Sequence, residues 1–169
     1  DWRKAARTYR EAIALKPDEP GAYANLGAAL DNSGHKVEAA QRLLEATERY
    51  PVGSERWARA TASAFRMLRL EECAEVTKPE WWNDEGLKAL SARVARAAPN
   101  VEGALTMRAA VLCGLRCCAW YVGPRSAAEV KEAAANFDRA AALVDAPGRK
   151  AELTSLADLC RSLAEASPM

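Results

Sequence analysis

The chain has 169 residues, of which 50% are hydrophobic and 28% are charged, and this composition excludes a disordered or fibrous protein. The 24 basic residues are balanced by 23 acidic ones, so the net charge gives no reason to expect a nucleic acid or an anionic membrane as the partner. No apolar run approaches the roughly 20 residues that a membrane span requires, and the sequence therefore predicts none.

In chain order, the first informative feature is a motif that recurs after 34 residues. The positions Ala5, Tyr9, Ala12, Pro17 and Tyr23 recur as Ala39, Leu43, Ala46, Pro51 and Trp57. This interval is typical of stacked helical hairpins, each of which buries its apolar face only against its neighbours. The pattern therefore predicts an all-α solenoid whose curved surface binds a partner, rather than an enclosed catalytic pocket.

Residues 20–53 are predicted to form one full repeat. The first helix carries apolar residues three and four positions apart, which therefore share one face: Tyr23, Leu26 and Leu30. Gly27 is small where the two helices of a hairpin approach each other, and the segment 32–34 supplies the turn. Pro51 cannot donate a helical hydrogen bond and ends the second helix.

These residues resemble the tetratricopeptide repeat (TPR) family, whose pattern places an aromatic, Leu-Gly and a Tyr or Leu on the first helix and Ala, an aromatic, Ala and Pro on the second. The eight matching positions are Tyr23, Leu26, Gly27, Leu30, Ala39, Leu43, Ala46 and Pro51. The resemblance implies a right-handed superhelical solenoid of antiparallel helix hairpins, with about seven or eight helices. Residues 1–169 would then form a single TPR-like domain that binds other polypeptides.

The N-terminal segment, residues 1–19, matches only the second half of the repeat. Its pattern residues, from Ala5 to Pro17, have no first helix before them. A helix with an uncovered apolar flank is normally packed against another repeat. We therefore expect that the array continues N-terminal to Asp1 or that a partner covers this flank.

Residues 54–101 form a third, stretched repeat, because its closing proline follows Pro51 by 48 residues instead of 34. The inserted residues are predicted to lie at about 69–84. The first helix of this repeat is expected to run on past Leu70, and the second helix is expected to start again near Glu85.

Residues 102–147 are a divergent fourth repeat. Within it, Ser126 and Glu129 form a capping box, in which the hydroxyl and the carboxylate each satisfy one backbone amide at a helix start. This box predicts a helix over residues 127–144. Residues 148–169 are predicted to form a C-terminal capping helix, since the last repeat of such an array needs a polar outer face.

The resemblance implies that a ligand lies along the concave surface made by the first helices. The residues predicted to reach it are Asn25, Ala28, Asn32, Arg59, Ala62 and Arg66. Asn25 stands where many family members place an Asn that binds a peptide backbone, although it is equally interpreted as a solvated surface residue. Arg59 matches an Arg of chaperone-binding members, but Glu55 stands where their carboxylate clamp needs a Lys, so that specific activity is not expected.

The insert carries a second candidate for partner binding, the adjacent pair Trp81 and Trp82. Two neighbouring side chains in a turn cannot both point inward, and Trp is enriched at the energetic centres of interfaces. We therefore expect at least one of the two to be partly exposed. The alternative is that both pack against the long hairpin as a local aromatic cluster.

The five cysteines are odd in number, and Cys113, Cys117 and Cys118 lie close together in one apolar stretch. Their spacing lacks the second ligand pair of a zinc site, and the single histidine, His35, lies in a distant turn. The cysteines are therefore interpreted as buried thiols of an intracellular protein in a reducing compartment. We expect no metal, no cofactor and no catalytic residues.

Together, these features predict an interaction module or scaffold that binds a partner polypeptide through the concave face and the Trp-containing insert, within a larger complex. The alternative is a TPR arm of a larger multidomain enzyme, which would position a substrate or a partner.

Overall fold

The computed structural model describes residues 1–114, 120 and 122–166, and all regular structure in these residues is helical. The helices are α1 (Trp2–Leu15), α2 (Pro20–Asn32), α3 (Lys36–Arg49), α4 (Glu55–Leu68), α5 (Asp84–Ala97), α6 (Glu102–Cys113), α7 (Ala127–Ala142) and α8 (Pro147–Ala166), with a one-turn 3-10 helix at Glu71–Cys73. For the described residues, the prediction of an all-α chain with seven or eight helices is confirmed. Within this part of the chain, no helix combines the length and the apolar character that crossing a bilayer requires.

Residues 1–78 form one compact unit, and residues 79–169 form a second. In the first unit each helix from α1 to α4 packs against the next, and the 3-10 helix packs against α3. In the second unit α5, α6, α7 and α8 pack in the same consecutive way. The boundary between the units lies inside the insert expected at 69–84, and the repeat boundaries themselves stay predictions.

The α2–α3 hairpin is built on the close approach of two helices. A methyl group added at Gly27 would lie 2.7 Å from Cγ of Leu43 and 3.3 Å from the carbonyl oxygen of Ala39, so no larger residue fits without movement. The turn between the helices passes through Gly34, whose φ of +85° lies in the left-handed region that favours glycine. The sequence prediction of a turn at 32–34 is confirmed.

The end of α4 differs from the expectation that this helix runs past Leu70. The helix ends at Leu68, and Leu70 is extended with ψ at 144°. By leaving the helix, the chain buries Cys73 and Val76, which are 0% and 7% exposed. The ammonium group of Lys78 then donates hydrogen bonds to three backbone carbonyls of this segment, at 2.7, 3.2 and 3.0 Å. Burial of these apolar side chains therefore stabilises the fold more than a longer α4 would.

The helix starts of the second unit follow the expected capping chemistry. The side chain of Asn83 accepts a hydrogen bond from the amide of Gly86 at 2.9 Å, so α5 begins within one residue of the expected restart. In the capping box, Ser126 Oγ accepts from the amide of Glu129 at 3.2 Å, and the Glu129 carboxylate accepts from the amide of Ser126 at 2.8 Å. The predicted helix is confirmed, although it ends at Ala142.

The last helix begins earlier than predicted. The helix predicted at 148–169 starts one residue before that range, because Pro147 occupies the first position of α8. A proline is well suited to that position, because the amide it lacks would have no helical partner there. The final residues, 167–169, lie outside the described part of the chain.

A buried arginine connects three segments of the second unit. The Arg125 side chain is only 6% exposed and donates to both carboxylate oxygens of Asp84, at 2.9 and 2.5 Å. It also donates from Nε and Nη2 to the carbonyl oxygen of Val111, at 3.1 and 2.9 Å. The hydrogen bonds from Arg125 hold the pKa of Asp84 below its usual value. The start of α5, the end of α6 and the segment before α7 are thereby held together.

Candidate functional site

A surface groove of about 360 Å³ lies between α2 and α4 in the first unit. Its lining residues are Ala24, Asn25, Ala28, Asp31, Asn32, Leu43, Tyr50, Arg56, Arg59, Ala60, Ser63 and Arg66. The structure therefore brings together five of the six residues that the sequence assigned to the concave face. Those five are Asn25, Ala28, Asn32, Arg59 and Arg66.

The periodicity of α2 explains why this helix serves both the core and the groove. Leu26 and Leu30 are 0% and 1% exposed and face the core, whereas Asn25, Ala28 and Asn32 are exposed. Successive residues of a helix are turned by about 100° around its axis, so the two sets occupy different faces. The groove wall and the hairpin core are therefore separate surfaces of one helix.

Ala62, the sixth predicted residue, does not line the groove. It is 6% exposed and lies among the buried residues of α4. Arg59, Ser63 and Arg66 follow one another at intervals of four and three residues and share one face, and Ala62 is turned about 100° away from Ser63. Ala60 supplies the small lining residue in its place.

One wall of the groove is fixed by an ion-pair network around Asp31. Its carboxylate pairs with the ammonium group of Lys36 at 2.5 Å and with the guanidinium group of Arg66 at 2.6 Å. Burial opposes ionisation of Asp31, but the hydrogen bonds from Arg66 and Lys36 outweigh it, so the pKa of this carboxyl lies below its usual value. Asp31 is therefore a neutralised anion that links α2, α3 and α4.

The other two arginines of α4, Arg56 and Arg59, are not paired with a carboxylate as buried as Asp31, the partner of Arg66. Arg59 pairs with Glu55 at 2.7 Å, but both side chains are 58% exposed, so solvent screens the pair. Arg56 is exposed and forms no ion pair with any residue that the structure describes. These two guanidinium groups give the α4 side of the groove its positive charge.

The two asparagines of the groove have different hydrogen-bonding states. Asn32 donates from its amide nitrogen to the carbonyl oxygen of Ala28 at 2.8 Å, so that donor is engaged by its own helix. Asn25 is exposed and makes no side-chain hydrogen bond within the described residues. Its amide can therefore donate to and accept from a ligand, as the TPR resemblance implied.

Trp81 and Trp82 lie in the second unit, and both side chains are half-buried. The ring centroids of the two are 5.8 Å apart, and Trp82 also meets Trp120 in an edge-on arrangement at 5.5 Å. A methyl group added at Gly86 would lie 2.6 Å from the carbonyl oxygen of Trp81, so this turn packs closely on the start of α5. The pair is thus part of a local aromatic cluster and is also partly exposed.

The cysteines that the structure describes are buried: Cys73, Cys113 and Cys160. Burial raises the pKa of the Cys73 thiol, and a hydrogen bond with Cys113 raises the pKa of the Cys160 thiol. No group of three or more potential metal ligands occurs among the described residues. Cys117 and Cys118 lie outside them.

Residues 1–34, which span α1 and α2, match the family model of the TPR repeat. Over these residues the chain is similar to a TPR repeat. The predicted resemblance to the TPR family is thereby confirmed for residues 1–34, and TPR repeats generally mediate interactions between proteins. No curated protein matches the chain.

Several lining residues of the groove were not recognised from the sequence. Arg56 and Ser63 stand three and four residues from Arg59, so the helical period of α4 contained the signal that places them beside it. Leu43 and Tyr50 come from the α3 segment, and only the packing of α3 between its neighbours reveals that they reach the groove.

Proposed function

We propose that the chain is a non-catalytic interaction module that binds a partner polypeptide in the groove between α2 and α4. The observation that carries this proposal is the shared groove of Asn25, Ala28, Asn32, Arg59 and Arg66, beside a TPR repeat. Small residues at the base allow a polypeptide backbone to come close, and the polar residues around them can bind its amides and carbonyls. A short peptide alone would bind with an affinity on the order of micromolar.

The partly exposed Trp81 and Trp82 form a second contact for the same or another partner, so that the chain acts as a scaffold within a larger complex. The right-handed superhelical sense of the array, an N-terminal continuation and an intracellular, reducing location stay predictions of the TPR resemblance and of the cysteine pattern. The expectation that nucleic acid is not a partner stays a prediction of the near-neutral net charge.

Site-specific photo-crosslinking tests the groove. A photoreactive amino acid is placed at Ala28, which is exposed in the groove, and in a control variant at Ala135, which is exposed on α7. Crosslinked polypeptides from a cell extract are then identified by mass spectrometry. We expect a discrete set of partners from position 28 that position 135 does not capture, and loss of these partners when Arg59→Glu is added. Equal sets from both positions would contradict the groove.

The aromatic contact is tested separately with Trp82→Ala and the matched variant Trp2→Ala, since Trp2 is a 54% exposed tryptophan on α1. Recovery of the crosslinked partners should fall in Trp82→Ala and stay unchanged in Trp2→Ala, while circular dichroism shows that both variants keep their helices. If recovery is unchanged with Trp82→Ala, the insert does not contribute to binding of these partners, and the groove alone contacts them.

A further inference from the structure

We infer that the groove between α2 and α4 selects an acidic partner segment, whose side-chain carboxylates are bound by Arg56 and Arg59. This inference rests on the proposed function, because it names the chemistry of the polypeptide that occupies the same groove. It differs from binding of a C-terminal carboxylate, because the acceptors are side chains within a segment.

The first step of the argument is the charge of the lining. Of the ionised side chains that line the groove, three are arginines and one is an aspartate: Arg56, Arg59, Arg66 and Asp31. The whole chain has a formal net charge of only +1, so this excess of positive charge is a local property of the groove. A concave surface with one sign of charge favours a ligand of the opposite sign.

The second step concerns the single anion of the lining. Asp31 would repel an acidic segment if its charge were exposed. It is paired at 2.5 Å with Lys36 and at 2.6 Å with Arg66, so two cations face one carboxylate. The wall that α2 contributes therefore presents no uncompensated negative charge to a ligand.

The third step concerns the cations that can exchange their partners. Arg56 has no ion-pair partner among the described residues, and the pair of Arg59 with Glu55 is exposed on both sides. An exposed pair is weak, so a carboxylate of the ligand can replace Glu55 at Arg59. The planar guanidinium group suits this role, because it can donate two parallel hydrogen bonds to one carboxylate.

The spacing of the two arginines indicates how the acidic residues are arranged. Arg56 and Arg59 are three residues apart on α4, and side chains at this spacing are neighbours on a helix surface. They can therefore bind two carboxylates that lie close together on one side of the partner segment. Ala28 and Ala60, also in the lining, leave room for the backbone of that segment to approach.

A nucleic acid is the competing polyanion, and the lining disfavours it. Sequence-tolerant binding of single strands combines a positive groove with aromatic side chains on which bases stack. The lining contains one aromatic residue, Tyr50, and that side chain is half-buried.

Fluorescence anisotropy with the full chain tests the inference. The probes are a labelled glutamate-rich peptide, the same peptide with glutamine at every glutamate, and a single-stranded DNA oligonucleotide of the same formal charge. The groove variant is Arg56→Glu combined with Arg59→Glu. The control is Arg3→Glu, which changes the charge of an exposed arginine on α1 outside the groove lining.

We expect the glutamate peptide to bind at least about tenfold more tightly than the glutamine peptide, and to lose about tenfold or more in the groove variant. The control should change the affinity by less than about twofold, and added salt should weaken binding of the glutamate peptide only. Equal affinity for the two peptides, or oligonucleotide binding that is equally strong and equally sensitive to the groove variant, overturns the inference. Crosslinking from Ala28 reports independently on polypeptide binding. If position 28 captures partners but the two peptides bind equally well, the preference for acidic segments is refuted and the proposed function is not.

Discussion

The two units of the chain hold their helices together by different means. In the first unit the α2–α3 hairpin depends on the close approach at Gly27, and Asp31 of α2 pairs with the exposed Arg66 of α4. In the second unit the connections depend on Arg125, which is buried and bonded to a carboxylate and a carbonyl. Where the 34-residue pattern is kept, small residues set the packing. Both units also contain long-range ion pairs, but Arg125 is 6% exposed whereas Arg66, which pairs with Asp31 in the first unit, is 58% exposed.

The largest expected difference between the units concerns their arginines. The substitution Arg125→Met should lower the free energy of unfolding by about 3 kcal/mol, because the partly buried Asp84 loses both hydrogen bonds from Arg125 and keeps only a long ion pair with Lys88 at 3.8 Å. The matched substitution Arg66→Met in the first unit should cost less than about 1 kcal/mol, since Arg66 is 58% exposed and Asp31 keeps Lys36. Chemical denaturation of both variants measures the two values. Equal losses would show that the units do not differ in this way.

Packing in the first unit is tested by Gly27→Ala. The added methyl group would meet Leu43 and the backbone of Ala39, and we expect a net loss of about 1 to 2 kcal/mol after the gain in helix propensity. The control is Gly148→Ala in α8, where nothing lies within 4 Å of the new atom. Denaturation should show that the control is neutral or stabilised. A stabilised Gly27→Ala would refute the close approach.

The capping box of the second unit predicts a pH dependence. The amide of Ser126 and then the ammonium group of Lys88 lower the pKa of Glu129 from 4.5 to about 2 in the folded state. The unfolded chain therefore binds the proton more tightly, so the stabilising effect of this carboxylate is complete above about pH 4.5 and is lost as the pH falls toward 2.

Substituting Glu129→Gln should cost about 1 kcal/mol at neutral pH, and the difference from the unsubstituted chain should vanish near the acid limit. Thermal unfolding across this pH range measures it. The exposed Glu165 at the end of α8 provides the control, and Glu165→Gln should track the unsubstituted chain at every pH. A Glu129→Gln effect that is constant with pH would contradict the assigned role of the carboxylate.

The smallest effect is expected for the exposed pair of the groove. The substitution Arg59→Ala should change the free energy of unfolding by less than about 0.5 kcal/mol, because both members of its ion pair are exposed. Denaturation of Arg59→Ala and of Glu55→Gln should give similar small values. A loss above about 1 kcal/mol would show that Arg59 supports the fold. Weaker partner binding by an Arg59 variant could then not be attributed to a lost contact with the partner.

The parts of the fold that were predictable from the sequence are those decided by neighbouring residues. The turn at 32–34 and the capping box at 126–129 depend on backbone amides within a few residues, so their residue types are sufficient evidence. The end of α4 was wrong because burial of Cys73 and Val76 decided it, and that burial depends on tertiary packing. The link between Arg125 and Asp84 joins residues 41 apart and leaves no periodic signal.

The groove lining was predictable in part, since the α2 residues and two arginines of α4, Arg59 and Arg66, were predicted to share one surface and do line the groove. The α2 residues were identified correctly because the repeat pattern fixes which face of that helix is buried, and the remaining face must be the surface. On α4, Ala62 was assigned to the surface although it is 6% exposed, while Ala60 lines the groove. Ala60 is itself only 4% exposed, so the residue type alone does not show which of two buried alanines borders the groove.

The division of α2 into a core face and a groove face has a consequence for how the protein can evolve. Asn25 and Ala28 are exposed, whereas Leu26 and Gly27 carry the hairpin. Mutations at the first pair change what a partner meets and leave folding almost unaffected, because exposed substitutions usually alter stability by less than about 0.5 kcal/mol. Under the proposed function, partner preference can therefore change one residue at a time while the chain keeps its fold.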